Sequence, residues 1–219
     1  MSKVYRIVTF LLMLVGIVVV WPEFWSAVTG IFTCLSAYKW FFIGMGVCFL
    51  LRIIPFFREI GGTLETLSHE LTHMVVGIMF FKRVKSLKVN SDGSGEVWHS
   101  GKNAFGNTCI SLAPYTLPLF TYILLLISLM IADKSMYLFH IFIGFTFAFH
   151  LICFALQTRL KQTDIKKCGY LRSFVFIALF LMFNISVVLF SIKMGFADGI
   201  VSVCKGMWGN LVAILKAVF

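Results

Sequence analysis

Acidic side chains are scarce in this chain: nine Asp and Glu stand against nineteen Lys and Arg in 219 residues, and charged residues of both signs make up only 13%. An ordinary soluble domain carries about 25%. With 60% hydrophobic residues and a mean hydropathy of +0.96, the composition excludes such a domain and points to a polytopic membrane protein. No basic groove interleaved with aromatics is present, so nucleic acid is excluded as a partner; the excess positive charge lies between apolar runs and reads as a topology signal. C-x-x-C pairs are also missing. Cysteines 34, 48, 109, 153, 168 and 204 mostly lie inside apolar runs and read as small buried hydrophobes. There is no internal repeat and no low-complexity linker.

Against that apolar background the stretch 63–81, TLETLSHELTHMVVGIMFF, stands out because it contains His69-Glu70-Leu71-Thr72-His73. On a helix, residues four apart lie one above the other, so both imidazoles face one way. Two neutral imidazoles on one face can hold Zn²⁺, with Glu70 within reach of a water activated by the metal. From Met74 to Phe81 only Gly77 is not strongly hydrophobic. Ionisable groups beside such a run are functional suspects.

The expected fold is all-α, with about six transmembrane helices near residues 7–21, 38–54, 63–81, 107–131, 136–156 and 170–192. The first is read as an uncleaved span, followed by a short interfacial stretch over 24–37. Residues 84–99 alternate around the turn-forming Asn90-Ser91-Asp92-Gly93-Ser94-Gly95 and predict a membrane-associated β-hairpin. Pro114 and Pro118 predict a bend in the fourth span. The tail, 199–219, reads as an amphipathic interfacial helix, with a seventh span as the alternative. One integral-membrane domain results: N-terminal spans (1–62), a catalytic core (63–169), and a C-terminal span with tail helix (170–219). The positive-inside rule places the basic loops after the third and fifth spans in the cytoplasm, but strict alternation then leaves Lys3, Arg6, Arg52 and Arg58 outside.

A catalytic zinc usually takes three protein ligands. Position 79 is Met rather than His, and the only Glu after Glu70 is Glu96, in the predicted hairpin. Asp164 is the leading third ligand and His150 its rival; His140 and His99 have weaker cases. His150, Gln157 and Asp164 are spaced by seven and would share one face of a continuous helix. Glu65, Pro114, Thr116, His150 and Gln157 are candidates for contacts with substrate or with the ligands.

The segments H-E-L-T-H-M-V-V-G, Arg83-Val84-Lys85, Ser91 to Val97 and Ala113-Pro114 resemble the site-2-protease-like intramembrane zinc metalloproteases, in particular their small bacterial M50B-like branch. The resemblance covers about 64–118 closely and 151–169 loosely. It implies zinc in the membrane held by His69, His73 and a downstream Asp, Glu70 as acid and base, a hairpin that presents substrate, and a bacterial inner membrane location. Two segments depart from the family pattern. Gly-Pro-x-x-Asn is Ala113-Pro114-Tyr115-Thr116-Leu117 here, and Leu-Asp-Gly is replaced by Gln162-Thr163-Asp164-Ile165. The expected activity is endopeptidase cleavage of a transmembrane protein substrate. A catalytically silent scaffold or partner to an accessory membrane subunit is the alternative.

Overall fold

The computed structural model describes residues 3–82, 84–89, 95–99, 104–131, 135–160 and 162–218. Their order is α1 (Lys3–Thr33), α2 (Leu35–Ile53), α3 (Pro55–Met79), β1 (Val84–Val89), β2 (Gly95–His99), α4 (Ala104–Leu112), a 3₁₀ turn (Ala113–Tyr115), α5 (Leu119–Ser128), α6 (Met136–Gln157), α7 (Thr163–Cys168), α8 (Tyr170–Met194) and α9 (Phe196–Val218). The strands pair antiparallel, with Leu87 opposite Val97 and Lys88 opposite Glu96, and a register shift between Val84 and Ser86. Residues 90–94, which carry the predicted turn, lie outside the described residues.

Helices α1, α2, α6, α8 and α9 are long and apolar enough to cross a membrane. The α4 and α5 segments, bent by 86° at their break, qualify together as one more. The protein is therefore an integral, multi-pass membrane protein, with five to six candidate spans. Helix α1 does not stop at Trp21; it runs through Pro22 to Thr33, which corrects the expected interfacial stretch over 24–37. Proline removes a backbone donor and disturbs the preceding turn. The carbonyl deprived of its donor is that of Val18, and the Asn210 amide of α9 donates to the neighbouring Val19 carbonyl at 3.1 Å, bracing α1 beside the proline.

Contacts fix the directions of the helices. Thr9 and Met13 line one cleft with Arg172 and Phe176, and Gly16 lies against Leu179, so α1 and α8 run parallel. Asn210 meets Val19 and Gly206 faces Glu23, so α9 runs antiparallel to α1. It spans the bundle lengthwise, and the tail is better described by the crossing alternative than by a helix lying on the surface. Helices α2 and α6 are parallel: the Trp40 and Tyr137 rings are 5.6 Å apart, and further along Cys48 and Phe149 line a common cavity.

Helix α3 is a second correction. It is not among the helices apolar enough to cross, because Arg58, Glu59, Glu65, His69, Glu70 and His73 crowd its length. It starts where α2 ends, and α4, which follows the hairpin, meets the first turn of α8 through Arg172 Nη2 and Thr108 Oγ1 at 2.7 Å. The chain from the start of α3 to α4 thus makes no net crossing of the bundle. With it removed from the count, Arg6, Arg52, Arg58, Arg159, Lys166, Lys167 and Arg172 all fall at that same end, and the conflict over the N-terminal charges disappears. A Schellman motif stops α3: Lys82 N–H bonds the Gly77 carbonyl at 2.9 Å and Phe81 N–H the Ile78 carbonyl at 2.8 Å, with Phe81 at φ 56°.

The central core joins Ala27, Tyr38, Phe41, Leu125, Ile143, Phe147 and Val188. Two glycines set its tightest crossing. A Cβ on Gly44 would land on the Ile141 carbonyl oxygen, and one on Gly144 on the Phe41 carbonyl oxygen. Small residues let helices approach closely where lipid offers no hydrophobic drive to pack them. Gly44→Ala or Gly144→Ala should cost about 1–3 kcal/mol or more, seen as a lowered thermal unfolding midpoint in detergent. Gly30→Ala, which meets nothing within 4 Å, serves as the comparison.

Candidate metal centre

Helix α3 opens with Pro55 at its first position, where the missing N–H costs nothing. Three to five turns on, it presents His69, Glu70 and His73 inward; Glu70 and His73 are buried. The two imidazole rings meet edge to face with centroids 4.7 Å apart. Asp164 arrives from the first turn of α7. Its Oδ2 lies 3.7 Å from His69 Nε2 and 3.4 Å from His73 Nε2. Each of the three residues offers a ligand atom within 4.8 Å of the others.

The far side of each ring is also fixed. His73 Nδ1 donates to the Ile110 carbonyl of α4 at 2.7 Å. His69 Nδ1 donates to Gln157 Oε1 at 2.9 Å, and Gln157 Nε2 donates to the Glu65 carbonyl at 3.3 Å, which sets the orientation of the amide. Because both acceptors claim the proton on Nδ1, a neutral ring turns the Nε2 lone pair towards Asp164. Two lone pairs and a carboxylate then face one another, an arrangement that calls for a cation between them. Were the rings protonated on Nε2 as well, their hydrogen bonds and charge would outweigh the burial that raises the Asp164 carboxyl and hold it well below the usual carboxylate range; a metal would take the place of those protons. The donor set fits zinc: ligands at about 2.0–2.1 Å in a tetrahedron lie about 3.3–3.4 Å apart, close to the two separations observed.

The other candidates distribute unevenly. Gln157 touches a ligand directly. Glu65 does not; its carboxylate pairs with Arg52 at 2.8 Å, and only its backbone carbonyl reaches Gln157. Pro114 is buried in the 3₁₀ turn, and the buried Thr116 accepts a hydrogen bond from Asn184 Nδ2 on its carbonyl at 3.0 Å. His150 is buried on α6 and lies outside the ligand cluster; its Nε2 has no hydrogen-bond partner among the described residues. The side chain of His99 lies outside the described residues.

Two contributors carried no sequence signal that pointed to them. The Ile110 carbonyl is backbone, which any residue would supply. Tyr115 follows Pro114 and is fully buried, with its ring edge-on to His69 at 5.4 Å between centroids. Its hydroxyl has no hydrogen-bond partner among the described residues. A phenol buried against a candidate ligand was foreseeable only once the turn at Pro114 had been placed beside α3.

A family model described as Peptidase M50B-like matches residues 42–218. No curated protein and no solved structure matches the chain.

Outer partners that orient metal-binding histidines typically account for about 10–100-fold in metal affinity. Gln157→Ala should lower zinc affinity by roughly that factor, read by competition with a chelator. His73→Ala and Asp164→Ala should each abolish stoichiometric zinc by elemental analysis of the purified protein.

Proposed function

This chain belongs to the Peptidase M50B-like family, and from that premise we propose that it is a zinc-dependent endopeptidase that cleaves a transmembrane protein substrate. The observation that carries the reading is the approach of His69, His73 and Asp164 to within 4.8 Å of one another, with Glu70 buried on the same helix. In this reading His69 and His73 give Nε2 and Asp164 gives Oδ2 to zinc, which when bound lowers the pKa of a water towards about 7 and polarises the scissile carbonyl.

The remaining chemistry belongs to the chain's own side chains. Glu70 takes a proton as the water oxygen adds to the carbonyl carbon. It returns that proton to the amide nitrogen as the C–N bond breaks, and the second water proton passes from the new carboxyl to the amine, leaving one carboxylate and one ammonium product. The Tyr115 hydroxyl, unpaired beside His69, donates a hydrogen bond to the carbonyl oxygen as that atom gains negative charge. The substrate must unwind locally, because a helical peptide bond shields its carbonyl carbon. The edge of the β1–β2 ribbon can pair with such an extended strand.

The basic end of the bundle carries Asp164 and the flanking lysines, so the positive-inside rule assigns this chemistry to the cytoplasmic half of the membrane. A bacterial inner membrane suits that orientation.

Glu70→Gln should keep zinc and lose cleavage of a co-expressed membrane substrate by about 10²–10⁴-fold. Tyr115→Phe should keep zinc and lower kcat by about 10²-fold or more with little change in KM. Wild-type protein that holds zinc yet cleaves no membrane substrate would instead identify a silent scaffold for an accessory subunit.

A further inference from the structure

A cleft of about 210 Å³ opens between α1, α4 and α8, away from the metal ligands. Its lining is graded. At the basic end of the bundle it is bordered by Tyr5, Thr9, Thr108 and Arg172; further along the same two parallel helices it is bordered by Leu12, Met13, Phe176, Leu179 and Phe180. From residue 172 to 180 the helix advances roughly 12 Å. The polar groups therefore sit at the depth of a membrane interface and the apolar ones at the depth of acyl chains, in the order in which a leaflet lipid presents them.

Arg172 sets the chemistry of the polar end. Its Nη2 donates to Thr108 Oγ1 at 2.7 Å, which occupies one of five guanidinium N–H donors. Among the described residues, the ion pairs join Arg52 to Glu65 and the two histidines to Asp164, and no carboxylate pairs with Arg172. A partly buried guanidinium with donors to spare and no counter-ion among the described residues, placed above an apolar trough, matches an amphiphile with a phosphate head. Arg6, Lys166 and Lys167 share that end of the bundle, and each basic residue near the surface favours a net anionic lipid by about 1 kcal/mol.

We propose that this cleft is a binding site for one anionic phospholipid, its phosphate on Arg172 and an acyl chain along Phe176, Leu179 and Leu12. The Arg172–Thr108 bond places the head group two residues from Ile110, whose carbonyl orients His73. The lipid then packs against the outer wall of the metal centre without touching a ligand.

The test needs neither zinc nor substrate, so its outcome is independent of the protease reading. The full-length protein is incorporated into nanodiscs of mixed phosphatidylglycerol and phosphatidylcholine, extracted in mild detergent, and examined for retained lipid by native mass spectrometry. Wild type should retain one phosphatidylglycerol in preference to phosphatidylcholine. Arg172→Gln should lower that retention at least roughly fivefold, whereas Lys193→Gln, an equal charge change in the exposed last turn of α8 at the opposite end of the bundle, should leave it unchanged. Leu179→Trp, which fills the trough and keeps every charge, should also lower retention, so the proposal remains testable even if Arg172→Gln fails to fold. Equal retention of the two lipids by wild type, or undiminished phosphatidylglycerol retention in the Arg172 and Leu179 variants, would overturn it.

Discussion

Three electron-pair donors held face to face inside an apolar bundle are the constraint on which the rest of this structure depends. Bringing His69 Nε2 and His73 Nε2 to 3.7 and 3.4 Å from Asp164 Oδ2 is unfavourable unless positive charge, a metal ion or protons, lies between them. The surrounding fold does not relieve that demand; it enforces it. Ile110 and Gln157 hold the outer nitrogens of the rings, and the Gln157 amide is itself held by the Glu65 carbonyl. A ring free to rotate could turn its lone pair away, but these two rings are tied. The need for a cation is thus built into backbone and side chains on α4 and α6 as much as into the motif on α3.

That need explains the irregular parts of the molecule. Helix α3 carries too many polar groups to face lipid alone, and α4, α6 and α7 surround its histidines. Helix α7 is a single short element whose only acidic residue is Asp164, and its Ile165 is buried beside Leu112, Tyr115 and Phe176. The burial of Ile165 anchors the turn that aims Asp164. A carboxylate on a loop without such an anchor would swing into water and lose the low-dielectric surroundings that strengthen its attraction for a cation.

The sequence carried the centre better than its surroundings. Local spacing encodes a helical pair of histidines, so His69 and His73 were legible at once. The spacing by seven from Gln157 to Asp164 put both residues in view, although α6 ends at Gln157 and the two do not share one continuous helix. What could not be read was the path of the chain. An apolar run such as Met74 to Phe81 looks like half a span, and only packing reveals that the chain is back, by α4, at the end where α3 began. That one miscount inverted the apparent side of Arg6 and Arg52. Glu65 misled for a related reason: sharing a helical face with His69 made it a candidate partner, yet Arg52, at the end of α2, lies nearer and carries the opposite charge. His150 shares a face with Gln157 but sits two turns back along α6, beyond reach of the cluster.

The departure from the family pattern after Ala113-Pro114 can be understood in the same terms. A broken helix at membrane depth leaves carbonyls that lipid cannot satisfy. Here Asn184 of α8 reaches across to the Thr116 carbonyl, takes the Phe180 carbonyl with the same amide nitrogen, and accepts the Tyr122 hydroxyl at 2.6 Å. The Thr116 hydroxyl turns back to the Ala113 carbonyl at 3.2 Å. An asparagine is thus present at the break, but it comes from another helix, and its hydrogen bonds go to the protein itself. With its groups committed, Asn184 braces the segment that carries Tyr115 and continues from Ile110. Among the described residues, the hydroxyl of Tyr115, whose ring packs on His69, has no hydrogen-bond partner. In this chain, then, the asparagine secures the wall, and the tyrosine beside it is the group with a hydrogen bond still to give.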